Sequence, residues 1–151
     1  EWTESVLKFL CKNKNSDNYS FILGYSCHVL SDIYNNIAVW TPFRLEYPNE
    51  LAKGYAGLYH QESEKVEIEL ALREDNKENF WVHLEKAKST SLNDIIFAEE
   101  IEKHKENILH NWYKDKKRQD TSSNKLVTIE STMTFVEDAA NFIVSKLSNF
   151  M

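Results

Sequence analysis

The scarcity of glycine and proline is the feature that most limits the folds open to this chain. Only 3 glycines and 2 prolines occur in 151 residues. β-Sandwiches and barrels need many tight turns, and these two residue types supply most of them. The composition therefore favours helices, and with 42% hydrophobic residues the chain can bury a core of its own. The sequence predicts an all-α fold, a single compact multi-helix domain over residues 1–151.

Apolar residues recur at helical spacing through most of the chain. The pattern predicts helices over about 3–13, 17–35, 50–74, 76–87, 91–116 and 128–147. Helix 17–35 is apolar all the way round, which is typical of a helix buried on every side. Pro42 and Pro48 predict an irregular connection, or one that contains a single short turn of helix, between about 35 and 50.

The polar stretch at 114–125 contains no apolar residue, and it predicts an exposed, poorly ordered loop. A basic patch for nucleic acid is the alternative interpretation of this stretch. The net charge of −6 disfavours duplex nucleic acid as a partner, because no positive field is available to collect the phosphate backbone.

The sequence predicts no transmembrane segment, because no stretch approaches the roughly 20 consecutive apolar residues of a membrane span. The chain begins at Glu1 with no visible leader, which favours a cytoplasmic location. A processed or truncated N-terminus is the alternative.

A histidine and an aspartate interrupt the apolar helix at 17–35. His28 and Asp32 are four residues apart, so their side chains share one face, and Gly24 lies one turn earlier on that face. A carboxylate inside an apolar helix is costly unless it is paired or coordinates a metal. A glycine in a helix often marks the close approach of another group. An ordinary ion pair and a metal site are therefore the two interpretations.

The stretch FILGYSCHVLSDIYNN at 21–36 resembles the bacterial zinc-dependent phospholipase C family, in which a GYxxHxxxD helix supplies ligands to a metal cluster. The segment FVEDAANFIVSKL in the last helix is similar to the C-terminal segment of that family. The resemblance implies an all-α fold, shared with single-strand-specific nucleases, and zinc as the cofactor. It also implies that the chain is a metal-dependent hydrolase of a phosphodiester or phospholipid substrate.

The resemblance assigns two pairs of metal ligands. His28 and Asp32 occupy the helix motif, and YHQESE places His60 and Glu64 at the spacing of the family's second pair. A solvated, glutamate-rich helix face is the alternative for this second pair. Ligands that the family carries before the motif have no counterpart, because no histidine precedes His28. They either lie upstream of the first residue or have been lost. The alternative function is a non-catalytic helical interaction or structural module.

Aromatic residues and an arginine follow the motif and suggest a substrate-binding segment. Phe43 and Tyr47 could receive an acyl chain or stack on a base, and Arg44 could hold a phosphate through two parallel hydrogen bonds. Loops on a rigid scaffold often carry such binding groups. We therefore expect Arg44, with Phe43 or Tyr47, to border the same cleft as the His–Asp pair.

Overall fold

A computed structural model describes residues 1–54, 57–73, 80–92 and 95–148. The described residues form helices and contain no β-strand, so the predicted all-α class is confirmed for them. None of their helices has the length and apolarity that crossing a membrane requires. The α-helices are α1 (Trp2–Lys12), α2 (Tyr19–Asn35), α3 (Thr41–Glu46), α4 (Pro48–Leu51), α5 (Leu58–Ala71), α6 (Val82–Lys86), α7 (Ala98–Asn107) and α8 (Ile129–Ser148). Turns of π-helix span Asn36–Trp40 and Ile108–Trp112.

The chain divides into two compact units. The first comprises Glu1–Gly57 with Glu130–Met151, and the second comprises Leu58–Ile129. The single-domain organisation expected for residues 1–151 stays a prediction.

The core of the first unit is built on one face of α2. Ile22, Ser26 and Leu30 recur every four residues along that face and are buried, and the hydroxyl of Ser26 donates to the carbonyl of Ile22 at 2.8 Å. At the end of α2, the ring of Tyr34 packs on Phe142 of α8, with 5.2 Å between ring centroids. These contacts leave another face open.

Helix α2 is not buried on every side, so that part of the prediction is wrong. Gly24, His28 and Asp32 lie on its exposed face. Many apolar side chains on the remaining sides, Phe21 and Leu23 among them, are only half-buried. An apolar sequence makes all-round burial favourable, but enough neighbouring elements must surround the helix, and periodicity does not report their number.

The chain continues as helix from α2 through the first π-helical turn into α3, and the predicted irregular connection is wrong here. The backbones of Asn36, Trp40 and Thr41 all have right-handed helical angles. A proline inside a helix clashes with the carbonyl four residues earlier. Pro42 instead stands in the first turn of α3, directly after the wider π-helical turn, where a missing N–H is tolerated. The second proline begins α4 in the same way.

In the second unit, helix formation begins later than the sequence pattern predicts. The long helix expected over 91–116 begins at Ala98, whose N–H donates to the hydroxyl of Ser91 at 3.0 Å, and an antiparallel bridge joins Leu92 to Ile96 before it. The helical pattern of 50–74 yields α5 from Leu58 onward. The first residues of the helix predicted over 76–87 lie outside the described residues.

Candidate functional site

The His28–Asp32 pair lies on the exposed face of α2. The imidazole Nε2 is 3.4 Å from the carboxylate Oδ2, and the two side chains are 70% and 65% exposed. This separation is longer than the usual N–H···O distance of about 2.9 Å. Because the Asp32 side chain is mostly exposed, its carboxylate loses little hydration on folding. The expectation that burial forces this carboxylate to find a partner does not apply.

The spacing of the pair is compatible with two ligands of one zinc ion. In a tetrahedral zinc site with bonds of about 2.0–2.1 Å, neighbouring ligand atoms lie roughly 3.3 Å apart. The observed 3.4 Å is close to that value, and both groups are accessible. A catalytic zinc generally takes three protein ligands and keeps one position open. In the part of the chain that the structure describes, no group of three or more His, Cys, Asp or Glu side chains could hold a metal. The pair thus fits part of a zinc centre.

A second pair shows that this geometry is not unique to the motif. His110 Nε2 lies 3.3 Å from Glu106 Oε2 at the same four-residue spacing, and the side chains are 66% and 55% exposed. Adjacent turns of a helix bring such side chains together without any metal. What separates the two pairs is the surrounding sequence, GYxxHxxxD for His28. The geometry by itself does not decide between metal ligands and an ion pair.

The glycine of the motif makes no close contact among the described residues. A Cβ atom added at Gly24 would meet nothing within 4 Å. The expected close approach of another group at this glycine is therefore not made by any described residue, and approach of a metal stays a prediction.

Arg44 reaches back along the helix towards the turn that follows Asp32. Its Nη2 donates to Asn36 Oδ1 at 2.9 Å and to Thr41 Oγ1 at 3.2 Å, and its Nε donates to the carbonyl of Trp40 at 3.3 Å. We call His28, Asp32, Asn36 and Arg44 the polar row, because they follow one another along the continuous helix. A guanidinium has five N–H donors, so these bonds leave part of the group available to an anion.

The two aromatic candidates differ in exposure. Phe43 is buried at 8% exposure and packs against Tyr47, with 5.2 Å between ring centroids, so its ring belongs to the core of the first unit. Tyr47 is half-buried, and a hydrogen bond with Glu46 raises the pKa of its phenol. Contact of either ring with a substrate stays a prediction.

His60 and Glu64 lie on α5, in the second unit. Glu64 Oε1 accepts a hydrogen bond from Lys116 Nζ at 2.9 Å. The imidazole of His60 is half-buried and packs edge-to-face against Tyr59, with 5.6 Å between ring centroids. The carboxylate assigned to a metal is therefore engaged in an ion pair, and its role as a ligand stays a prediction.

Two glutamates of α5 are buried, although the sequence suggests only a solvated, glutamate-rich face as the alternative to the metal pair on this helix. Glu62 is 3% exposed, and its carboxylate accepts three backbone N–H donors, from Lys125 at 2.9 Å, Leu126 at 2.6 Å and Val127 at 2.9 Å. Burial by itself raises the pKa of Glu62, but the three N–H donors outweigh it and hold the pKa below its ordinary value.

Glu69 is the second buried carboxylate, at 6% exposure. Arg118 donates to it through Nε at 3.0 Å and also through Nη2, and the backbone N–H of Gln119 donates at 3.1 Å. Hydrogen bonds from Arg118 lower the pKa of Glu69, against a smaller opposing effect of burial. A signal was present in the sequence: Glu62, Val66 and Glu69 recur at helical spacing and so share one stripe of α5.

The described residues therefore bring together His28 with Asp32, and Arg44 with Asn36, on one helix, and they hold Glu62 and Glu69 in internal hydrogen bonds. The arrangement on α2 can bind a cation through the imidazole and carboxylate, or an anion through the guanidinium. Comparison of the sequence with models of known protein families and with curated proteins, and of the fold with solved structures, finds no match.

Proposed function

We propose that the chain belongs to a metal-dependent phosphodiester hydrolase that resembles zinc-dependent phospholipase C. The observation that supports this function is the accessible His28–Asp32 pair, which lies at zinc-ligand spacing within the GYxxHxxxD helix. Nε2 of His28 and an oxygen of Asp32 are the atoms that would hold the ion. When bound, zinc lowers the pKa of its water towards about 7 and neutralises charge on a phosphoryl oxygen.

In this proposal Arg44 of the polar row binds the substrate. Asn36 and Thr41 hold the guanidinium of Arg44 in a fixed orientation. The donors that these bonds leave available can take a phosphate oxygen, and a guanidinium matches phosphate better than an ammonium because its donors are planar and paired. A phosphodiester or phospholipid headgroup is the substrate class that this chemistry suits. His28 and Asp32 are the two ligands that lie together in the described residues, and a complete zinc centre needs at least one more.

A non-catalytic helical interaction or structural module is the second candidate. The Glu106–His110 pair favours it, because it shows the same separation and exposure without a metal motif. In that case His28 and Asp32 form an ordinary surface ion pair, which contributes roughly 0–1 kcal/mol to stability.

Zinc binding distinguishes the two candidates. The chain, His28→Ala and Asp32→Asn are each dialysed against a zinc buffer, and bound zinc and the melting temperature are measured. His110→Ala is the matched control, because it breaks a pair of the same geometry. The hydrolase proposal expects one or more zinc ions on the wild type and on the control, and loss of zinc from both α2 variants. At a free zinc concentration 100 times Kd, binding stabilises the folded state by about 2.7 kcal/mol, which raises the melting temperature.

Equal zinc content in all four proteins, or none in the wild type, would overturn the metal proposal and leave the module. A phosphodiesterase assay with bis(p-nitrophenyl) phosphate then tests catalysis separately. Activity that survives Asp32→Asn unchanged would show that the α2 pair is not the centre.

A further inference from the structure

Four glutamates of α5 all bind one later segment of the second unit. Their partners lie between residues 113 and 127, which are 46 or more residues away in sequence. The bonds are Tyr113 Oη to Glu67 at 2.7 Å, Lys116 Nζ to Glu64 at 2.9 Å, Arg118 and the N–H of Gln119 to Glu69, and the N–H groups of 125–127 to Glu62. The stretch that the sequence predicts to be a poorly ordered loop is thus held against α5 by hydrogen bonds and ion pairs.

The two ends of this segment are held by packed or buried groups. Tyr113 is half-buried, and its ring packs against Trp81 and Trp112 with centroids 5.5 Å and 6.3 Å away. At the other end, backbone N–H groups bind the carboxylate of Glu62, which is 3% exposed, and Asn124 Nδ2 donates to the carbonyl of Val127 at 2.7 Å. Buried hydrogen bonds of this kind are screened little by salt.

The stretch between these ends is attached to α5 chiefly by ion pairs. Lys116 and Glu64 are 40% and 62% exposed, and an exposed pair of this kind contributes little. The side chain of Glu69 is 8% exposed, whereas that of Arg118 is 64% exposed. Glu69 is therefore the main attachment between the fixed ends, and it depends on a guanidinium that water and salt can reach.

Charge attraction contributes to holding this stretch against α5, so salt weakens the attachment by screening it. Residues 113–127 carry five cationic side chains and two acidic ones, a net charge of +3. Four of the cations, at positions 114, 116, 117 and 118, crowd into five residues and repel one another unless the glutamates of α5 neutralise them.

We propose that residues 114–123 form a flap that opens away from α5 while its two ends, Tyr113 and 124–127, stay fixed. The hydrogen bonds that the Glu69 carboxylate accepts keep this flap closed. Closed, the flap covers the carboxylate of Glu69 and pairs Lys116 with Glu64, which stays largely exposed. Open, it exposes the carboxylate of Glu69 and frees the cations of the flap. This inference does not rest on the proposed hydrolase function.

Limited proteolysis with trypsin tests the flap, because trypsin cleaves after lysine and arginine and four such residues lie in it. Cleavage of a locally opened segment follows the population of the open state when opening is fast. We compare the full chain with Glu69→Gln and with Glu137→Gln, a matched control on the exposed side of α8. Cleavage after Lys65, inside α5, reports unfolding of the helix itself.

Loss of the Arg118 bonds in Glu69→Gln should raise the rate of cleavage after residues 114–118 by about tenfold, which corresponds to ~1.4 kcal/mol. The control variant and cleavage after Lys65 should stay unchanged. In the wild type, salt raised from 0.1 M to 1 M shortens the screening length from about 10 Å to about 3 Å, so flap cleavage should rise several-fold relative to Lys65.

Two results would overturn the flap. One is an equal rise at Lys65 and in the flap of Glu69→Gln, which indicates general unfolding. The other is a salt-independent ratio of flap cleavage to Lys65 cleavage in the wild type. The salt experiment needs no variant, so the proposal remains testable if Glu69→Gln does not fold.

Discussion

Substitution of Glu62 by glutamine gives a direct measure of how strongly α5 holds the end of the 113–127 segment. The side chain keeps its size, but one carboxylate oxygen becomes an NH₂ group. If the amide oxygen takes the place of Oε2, it still accepts from Leu126 and Val127, and the NH₂ group faces the N–H of Lys125. One buried N–H donor is then unsatisfied, and two charge-assisted bonds become neutral ones.

The expected loss follows from these three changes. An unsatisfied buried N–H costs about 1–3 kcal/mol, and each bond weakened from charged to neutral costs about 1 kcal/mol. The neutral amide is easier to bury than the carboxylate, which offsets part of the sum. We expect Glu62→Gln to lower the free energy of unfolding by about 3 kcal/mol. This effect is large for a substitution that conserves side-chain size, because a folded protein is stabilised by only roughly 5–15 kcal/mol in total.

Urea unfolding followed by circular dichroism measures the change, with Glu137→Gln as the control for an exposed glutamate. With a urea dependence of about 1–3 kcal/mol per M, the midpoint should fall by roughly 1–3 M. Amide hydrogen exchange should show lost protection at residues 125–127 in particular. A loss below about 1 kcal/mol, or unchanged exchange at those amides, would refute the reasoning that the Glu62 carboxylate anchors this segment.

Three further predictions test other parts of the fold. Hydrogen bonds from Arg118 lower the pKa of Glu69, so the contribution of Glu69 to stability is present above its unfolded pKa of 4.5 and is lost as pH falls through its folded pKa. Unfolding curves measured between pH 6 and 3 should therefore show a smaller acid-induced loss of stability for Glu69→Gln than for wild type. Leu30→Ala should cost about 2–5 kcal/mol in urea unfolding, since Leu30 is 0% exposed; a cost below 1 kcal/mol would contradict its place in the core. Gly24→Ala should stabilise the protein by about 0.5–1 kcal/mol, because a Cβ there meets open space, and a lower melting temperature would indicate a close neighbour that the described residues do not include.

Local spacing accounts for what the sequence alone could predict. The all-α class follows from the scarcity of turn formers, and α1, α2 and α8 lie close to their predicted positions because helical periodicity is a property of consecutive residues. The contact between His28 and Asp32 is predictable for the same reason, since any helix places residues four apart on adjacent turns. The irregular connection predicted from the prolines was wrong because the effect of a proline depends on its position within a helical turn. Pro42 lies in the first turn of α3, directly after a π-helical turn that accommodates it.

Burial depended on contacts between residues far apart in sequence, and only the tertiary structure decided it. The glutamates of α5 look alike in the sequence, yet Glu62 and Glu69 are buried while Glu64 and Glu67 are exposed. The difference arises because the segment at 113–127 brings N–H groups and Arg118 to one stripe of the helix. A carboxylate is stable in a buried position only where such donors meet it, and those of Glu62 come from residues 63 to 65 positions later in the chain.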